Sequence, residues 1–448
     1  MGTPCQNRAE QQIINVGIMT RGAVEFSLDG KFIADGRRFP GPELKCTADG
    51  DGLAINGVRK PEFFFESASS DTSFTLKNVT IGIGFHWQRD IDQSFRGSLR
   101  LVAKEGKVMV INVVGIEDYL QSVIASEMSP SAGMEFLKAH AVISRSWLLA
   151  QLEKRNSLQG RYQPCECDDE TALIRWQDRE DHTDFDFCAD DHCQRYQGIP
   201  QCGSKMERKV AKVIEETWGE VLCYGEHVCD ARFSKCCGGV TEEFKYCWES
   251  KEMPYLKGVR DFYSIPGKKI DLRDEEKARE WILSSPTAFC NTRNARLLGQ
   301  VMKGYDRETS DFYRWTVEYT QEELQDIIRT ATGEDYGTIR DLVPVERGVS
   351  GRIWKLQIVG GRKTRIIGKE LEIRKTLSRT HLFSSAFVVE KVVEKGFRIP
   401  SKFILHGAGW GHGVGLCQIG AAAMCAKGLD YRTILNHYYY DTELTKLY

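Results

Sequence analysis

Hydrophobic and polar residues alternate through the first quarter of the chain, a pattern of period two that is typical of β-strands. The clearest segments are residues 24–30, which run into a glycine turn, and residues 74–83. Two further apolar runs, 99–103 and 108–113, flank Lys104–Lys107, whose Glu-Gly centre indicates a hairpin. We therefore predict that residues 10–115 form a β-rich N-terminal part.

The pattern changes to helical spacing between residues 118 and 156, and Ser129-Pro130 divides this region into two predicted helices. The apolar residues of the first helix are Leu120, Val123, Ile124 and Met128. Glu127 shares their face at about 3.6 residues per turn. An apolar environment favours the protonated carboxyl, which a general acid needs. A glutamate paired with an arginine under a helix cap is equally consistent with the residues.

The remaining segments differ in character. Residues 160–205 are polar and rich in cysteine, with little periodicity, so we predict an ordered loop there, and short strands at 207–260. Helices are predicted at Glu275–Leu283 and Gln321–Thr332, strands within 354–372, and helices from about Ala421 and from Tyr431. The predicted fold class is α+β, a β-rich mixed fold with a two-helix segment and a C-terminal Gly-rich loop followed by helices.

This pattern predicts four parts of the chain. Residues 10–115 are the β-rich part, and residues 116–265 hold the two helices and the Cys/His-rich loop 160–205. Residues 266–400 form an α+β insertion or second lobe, and residues 401–448 carry the glycine-rich segment that completes a cleft.

Composition excludes several functions. The 448-residue chain has a formal net charge of −2 at pH 7, without the basic surplus that nucleic-acid binding needs. No apolar run approaches the roughly 20 residues that cross a bilayer, so no transmembrane segment is predicted. The first residues lack a basic region followed by an apolar core, so no export signal is visible.

Cysteines are concentrated in one region, because ten of the 15 lie between Cys165 and Cys247. Disulfides, a metal site and free thiols are all compatible with this count. His182, Cys188 and Cys193 are separated by five and four residues, and zinc accepts such ligands at short loop spacings. His192 is able to replace His182 or to complete the set. A Cys188–Cys193 disulfide is the alternative.

The other cysteines are weaker candidates. The neighbouring pairs Cys165/Cys167 and Cys236/Cys237 offer thiols, but vicinal cysteines rarely bind one ion together. Five scattered cysteines are predicted to be small buried apolar residues rather than chemical groups: Cys5, Cys46, Cys290, Cys417 and Cys425.

The most unusual segment is residues 407–421, GAGWGHGVGLCQIGA, with glycine at every second position from 407 to 415. Glycine weakens both helices and strands, so this pattern indicates a backbone that passes close to another backbone or to a ligand. His412 is presented at its centre. The segment lacks the residues of a phosphate-binding loop, so a nucleotide site is not favoured.

Four motifs in order resemble the SpoIID/LytB family, bacterial proteins that act on peptidoglycan. The first is 117–130 (EDYLQSVIASEMSP) followed by 137–145 (LKAHAVISR). The others are 233–242 (FSKCCGGVTE) with 254–256 (PYL), 346–352 (ERGVSGR) and the glycine segment 407–421. Cys417 stands where the family often has Ser, and His140 where it usually has Gln.

The resemblance implies that Glu127 is the catalytic residue of a lytic transglycosylase in the segment 116–265. Such an enzyme cleaves the MurNAc-GlcNAc glycosidic bond with the C6 hydroxyl of the substrate as nucleophile, leaving a 1,6-anhydro-MurNAc end. One Glu then suffices as acid and base. Most glycoside hydrolases use two carboxylates, and we identify no second one of comparable placement: Glu117 is nearly three helical turns away.

The resemblance also implies roles for other residues. His412, Gln418, Trp410 and Arg145 are expected to bind the glycan. The alternatives are a structural histidine, a core aromatic residue and a helix-capping arginine. Some family members hold zinc with a His and two Cys in the corresponding loop, so Zn²⁺ at His182, Cys188 and Cys193 is favoured, with a structural or cleft-lining role.

The expected partners are peptidoglycan glycan strands and other cell-wall hydrolases. The expected location is the cell envelope, with a native leader absent from this sequence. Two rival hypotheses are a LytB-like wall-binding protein that stimulates an N-acetylmuramoyl-L-alanine amidase, and a zinc-stabilised scaffold without activity.

Overall fold

The computed structural model describes residues 11–34, 37–38, 43–83, 88–158, 164–177, 182–190, 192–199, 204–263, 270–301 and 311–448. Its N-terminal part consists of strands, as the alternating pattern predicts. They are β1 (Ile13–Arg21), β2 (Ala23–Asp29), β3 (Phe32–Ala34), β4 (Arg37–Arg38), β5 (Leu44–Asp49), β6 (Gly52–Ile55), β7 (Val58–Lys60), β8 (Glu62–Ser67), β9 (Ser73–Ile81), β10 (Arg89–Arg96), β11 (Ser98–Lys104) and β12 (Lys107–Gly115).

The predicted hairpin at Lys104–Lys107 is present. Strands β11 and β12 are antiparallel, and Lys104 pairs with Lys107 across a two-residue turn. Both turn residues have positive φ, 50° at Glu105 and 70° at Gly106. That geometry matches the twist of the strands it joins.

Two helices follow, on either side of Ser129-Pro130 as predicted: α1 (Ile116–Glu127) and α2 (Met134–Leu158). The next elements are β13 (Cys165–Asp168), β14 (Ala172–Arg175), β15 (Phe187–Cys188), α3 (Ser204–Glu216), β16 (Glu220–Tyr224), β17 (His227–Val228), β18 (Phe233–Ser234) and a 3-10 helix (Phe244–Tyr246).

The second half of the chain mixes helices and strands. Its elements are α4 (Glu275–Leu283), α5 (Ala295–Val301), β19 (Arg314–Thr320), α6 (Gln321–Thr332), β20 (Ile339–Arg347), β21 (Ile353–Gly360), β22 (Thr364–Gly368), α7 (Glu370–Thr376), β23 (Phe387–Val392), β24 (Lys402–Ala408), β25 (Leu416–Cys417), α8 (Gln418–Ala426), α9 (Tyr431–Tyr438) and β26 (Glu443–Lys446). The predicted helices at 275–283 and 321–332 are confirmed at both ends, and α8 begins three residues before the predicted Ala421.

The strands form several sheets around two hydrophobic cores. A sheet in the order β15-β1-β12-β11-β8-β3-β4 and a sheet in the order β10-β9-β2-β5-β6-β7 share the larger core with α1, α2, α8 and α9. A second core lies between α6, α7 and the sheets β13-β14-β22-β21-β20 and β19-β24-β23. This arrangement is the predicted β-rich α+β fold.

Two predictions about local structure were wrong. Residues 204–216 form a helix instead of short strands, because Val210, Val213 and Ile214 recur at helical spacing and are all buried. The described part of the loop 160–205 contains short strands: β14 lies between β13 and β22 and pairs in parallel with β22, nearly 200 residues later. Among the described residues, no helix is long and apolar enough to cross a membrane.

Candidate active site and metal centre

Glu127 is the last residue of α1, where the buried face of the helix meets the surface. Leu120, Val123, Ile124 and Met128 are fully buried, whereas Glu127 is half-buried. The backbone N–H of Arg195 donates to its Oε1 over 3.1 Å. Among the described residues, no group donates to the other oxygen, Oε2. The carboxyl is therefore fixed by one bond and keeps one oxygen for a ligand.

Other carboxylates near the predicted cleft have internal partners. Glu117 is buried in an ion pair with Arg145. Asp184 pairs with Lys104 at 3.0 Å, and Asp186 accepts from Arg155 at 2.6 Å. These three described carboxylates are therefore engaged within the protein, and a mechanism with a single acid stays a prediction.

Arg145 has a structural position instead of the predicted glycan contact. Its guanidinium is completely buried and binds both oxygens of Glu117, with N···O distances of 2.8 and 2.6 Å. It also donates to the backbone carbonyl of Glu220. Because no part of the side chain is exposed, Arg145 ties α2 to α1 and to β16 and does not reach a substrate in this structure.

Gln418 contacts His140, whose ring interacts electrostatically with Glu127. Gln418 is the first residue of α8 and is buried, and its Nε2 lies 3.2 Å from Nε2 of His140 on α2. The other ring nitrogen of His140 lies 3.2 Å from the hydroxyl of Ser144. Burial lowers the pKa of His140 to about 4, against the opposing charge of Glu127 and with a small contribution from Lys235. The ring is therefore neutral near pH 7.

This buried histidine predicts a pH-dependent stability. Its folded pKa lies below the ordinary value near 6.5, so the unfolded chain binds the extra proton and stability falls as pH drops through that range. Relative to a His140→Gln variant, wild type should lose about 2 kcal/mol of unfolding free energy between pH 7.5 and pH 5. Urea unfolding of both proteins at the two pH values measures this difference. If the unfolding free energies of the two proteins change equally with pH, the stability does not depend on protonation of a buried His140.

The glycine segment is a close-packed structural loop. Gly409, Gly411, Gly413 and Gly415 have φ values of 76°, 88°, 75° and 71°. A Cβ at Gly413 would lie 2.4 Å from the guanidinium carbon of Arg352. The alternation of glycines is therefore explained by left-handed backbone and close approach, as predicted, and not by a phosphate.

Arg352 joins three of the four motifs. Its guanidinium is buried and donates to the carbonyls of Gly411 and Cys237 and to the hydroxyl of Ser350. Ser350 in turn donates to buried Glu242 over 2.6 Å. Burial raises the pKa of Glu242 to about 7. The segments 233–242, 346–352 and 407–421 thus form one hydrogen-bonded network.

His412 and Trp410 make internal contacts in this loop. The N–H of Val414 donates to Nδ1 of His412 over 3.0 Å, the backbone of Phe233 also bonds the ring, and Trp248 packs edge-on at 4.9 Å. Trp410 stacks on Phe312 at 4.8 Å. These internal contacts agree with the alternatives of a structural histidine and a core aromatic residue, and glycan binding by either residue stays a prediction.

The predicted metal ligands come together. One ligand atom each from His182, Cys188, His192 and Cys193 lies within 4.8 Å of all the others. The distance from Sγ of Cys193 to Nε2 of His182 is 3.4 Å. Neither Cys188 nor Cys193 forms a disulfide in this structure, as the metal interpretation requires. Two sulfur and two imidazole donors match the tetrahedral preference of zinc, and His192 completes the set.

The loop that carries these ligands continues into the groups that hold α1. Arg195 donates its backbone N–H to Glu127, and Gln197 donates its own to the hydroxyl of Ser126. Between them, Tyr196 stacks on Tyr119 of α1 at 4.9 Å. The last of the four possible metal ligands, Cys193, therefore lies two residues before Arg195, which contacts the catalytic candidate.

A cavity of about 260 Å³ lies against this loop segment. Its lining includes Met19, Ile81, Cys188 and Arg195, and Glu127 is not among the lining residues. We therefore do not place the glycan there.

Sequence reasoning missed His140, Arg352 and Glu242 as parts of the site. The signal that could have identified these residues was their position in the motifs. Arg352 and Glu242 lie inside two of the four motifs, and His140 lies in the first. Each has a partner more than 100 residues away along the chain, which the sequence does not indicate.

Comparison with known proteins agrees with the motifs. Residues 104–224 match the model of the Stage II sporulation protein family (SpoIID), and residues 242–415 match a domain of unknown function, DUF8618. An uncharacterized protein of Brachyspira hyodysenteriae is 24% identical over 391 residues, 87% of this chain and 78% of that protein.

Two relatives from Bacillus subtilis have descriptive names. Stage II sporulation protein D is 23% identical over 337 residues, 74% of this chain and 75% of its own length. The amidase enhancer is 28% identical over 244 residues, 52% of this chain. The match spans only 32% of the amidase enhancer.

Proposed function

Because this chain is a SpoIID/LytB family member, we propose that it is a peptidoglycan lytic transglycosylase of the cell envelope, with Glu127 as its acid and base. The observation that carries the proposal is the position of Glu127. It is half-buried at the end of α1 and, within the described part of the chain, accepts a hydrogen bond through Oε1 alone.

The proposed reaction needs one carboxyl in two successive roles. Protonated Glu127 gives its proton to the glycosidic oxygen as the bond from C1 of MurNAc to that oxygen breaks. The C6 hydroxyl of the same sugar then attacks C1, and Glu127, now ionised, takes the hydroxyl proton. The 1,6-anhydro bond closes, no water is consumed, and Glu127 ends in the protonated state in which it began.

The surrounding residues would hold this carboxyl. The Arg195 N–H fixes Oε1, so that Oε2 is the oxygen available to the substrate. His140 is neutral and therefore does not lock Glu127 in a fixed ion pair. Gln418 contacts His140, whose ring interacts electrostatically with Glu127, and it stays a predicted glycan-binding residue.

The experiment that tests the proposal is mass spectrometry of glycan fragments after incubation with the purified protein. Strands with and without stem peptides are both supplied. Fragments ending in 1,6-anhydro-MurNAc are expected. Fragments with reducing ends would mean hydrolysis, and intact strands in both preparations would contradict the proposed activity.

The second candidate is stimulation of a separate amidase, and the similarity to the amidase enhancer favours it. In that case glycan strands stay intact and an added N-acetylmuramoyl-L-alanine amidase releases stem peptides faster. The same preparations, assayed with and without the amidase, separate the two functions.

We also propose that His182, Cys188, His192 and Cys193 bind one structural Zn²⁺. Four protein ligands close a tetrahedral site, which distinguishes structural zinc from catalytic zinc with an open position. Bound zinc would hold together the loop whose next residues contact Ser126 and Glu127.

Replacing Cys188 by serine should remove one equivalent of zinc and lower the melting temperature, because metal-binding free energy is partly folding free energy. Metal analysis and thermal unfolding of both proteins measure this. Some cleavage should persist at low temperature if the metal only orders the loop. If a wild-type peptide that contains both cysteines has a mass two hydrogens below that of its dithiol form, Cys188 and Cys193 form a disulfide instead.

A further inference from the structure

A second group of possible metal ligands lies in the interior, apart from the site described above. Cys237, Asp261, Cys290 and Cys417 are all buried, and one ligand atom from each lies within 4.8 Å of all the others. The sulfurs of Cys237 and Cys290 are 3.7 Å apart. These residues come from four separate segments of the chain, so no local sequence spacing indicates the group.

Asp261 distinguishes this group from ordinary buried thiols. Its carboxyl is fully buried and accepts from the hydroxyl of Tyr438 over 2.6 Å and from the N–H of Cys290 over 2.8 Å. Within the described ranges, no lysine, arginine or histidine forms an ion pair with it. A buried carboxylate normally needs a cation or metal partner. The sulfurs of Cys237, Cys290 and Cys417, which are soft metal ligands, lie next to this carboxyl.

The backbone around the cysteines donates to their sulfur atoms. The N–H of Cys237 donates to Sγ of Cys417 over 3.2 Å, and the N–H of Gly239 donates to Sγ of Cys237 over 3.4 Å. Cys417 is also the N-cap residue of α8, where the helix dipole favours negative charge. Both features stabilise thiolates, and hydrogen bonds to the ligating atoms are typical of metal sites.

We propose that Cys237, Asp261, Cys290 and Cys417 bind a second, structural Zn²⁺. Three thiolates and one carboxylate supply the four donors of a tetrahedral site, and thiolate-rich sites of this geometry select zinc. The thiol protons leave to solvent as the ion binds, and no oxidant or reductant is needed. Cys290 and Cys417 are buried in the larger hydrophobic core, as predicted, and the proposal adds a role as metal ligands.

The second zinc would join the parts of the chain that build the site. Cys237 follows β18, Asp261 and Cys290 lie in the connections before α4 and α5, and Cys417 directly precedes Gln418. Gln418 is the residue whose side chain contacts His140 beside Glu127. Metal at Cys417 would therefore fix the start of α8 and the position of Gln418.

The test is the metal content of the full chain, purified without chelators, by elemental analysis and native mass spectrometry. Wild type should carry two zinc ions per chain. Cys188→Ser should retain one, and Cys290→Ser should lose one while retaining that of the first site. Cys229→Ser, a buried cysteine outside both groups, is the matched control and should retain both.

A second measurement keeps the proposal open to refutation if Cys290→Ser does not fold. Cys188→Ser loaded with Co²⁺ should show the thiolate-to-cobalt charge-transfer band of a site with three sulfur ligands. No zinc in Cys188→Ser, or a Cys237–Cys290 disulfide found by peptide mass, would overturn the proposal. Neither result depends on glycan cleavage. The metal measurements therefore test the second zinc site, and the glycan assay separately tests the proposed enzymatic activity.

Discussion

Replacing Glu127 by glutamine is expected to lower the rate of glycan cleavage by about 10²–10⁴-fold, the usual contribution of general acid–base catalysis. The amide has the same shape, and its carbonyl oxygen still accepts the N–H of Arg195. It has no proton to give to the leaving oxygen and cannot take one from the C6 hydroxyl. The fold and glycan binding should therefore be unchanged.

The rate is measured as the appearance of anhydro ends by mass spectrometry, with sedimentation of insoluble wall material as the binding assay. Glu215→Gln is the matched control, because it makes the same change at an exposed position of α3. An active Glu127→Gln variant would exclude the single-carboxyl mechanism. Amidase stimulation that survives in the inactive variant would show that the second candidate function is separate from cleavage.

The elements that the sequence predicts well are those whose signal is local. The Glu105-Gly106 turn has residues that accept positive φ, and α6 begins with a capping box at Thr320 and Glu323 and ends at Gly333 in the left-handed conformation. These signals lie within a few residues of the element ends, and the boundaries are accordingly correct.

Helix α3 was missed although its buried apolar residues recur at helical spacing, whereas the other failures depend on distant parts of the chain. The short strand β14 exists because β22 offers it a parallel edge. The same limit applies to the site: Cys188 and Cys193 are close in sequence and were predicted as ligands, whereas Cys237, Asp261, Cys290 and Cys417 meet only in the folded chain.

Arg145 illustrates how a motif residue is misassigned. It lies in the same motif block as Glu127, which suggests a shared role in binding the glycan. Its partner Glu117 stands 28 residues earlier in that block, and the two meet because α1 and α2 pack together. A pattern of important residues does not by itself separate those that touch substrate from those that hold the helices.

Replacing Arg145 by glutamine is expected to lower the free energy of unfolding by about 3–5 kcal/mol, the cost of breaking a buried ion pair by removing one partner. The side chains of Arg145 and Glu117 are 0% and 2% exposed. The variant leaves the Glu117 carboxylate buried with only the hydroxyl of Tyr448 and the N–H of Gly219 as donors. Urea unfolding at pH 7 measures the loss.

Arg155→Gln is the matched control. Its ion pair with Asp186 is partly exposed, and such pairs contribute about 0–1 kcal/mol. The double variant Glu117→Leu/Arg145→Met should recover much of the lost stability, because apolar residues of similar volume replace buried ion pairs at little cost. A loss below about 1 kcal/mol in Arg145→Gln, together with a raised KM for glycan, would instead restore Arg145 to the substrate site. Under the structural role, the folded fraction at low temperature keeps its KM while stability falls.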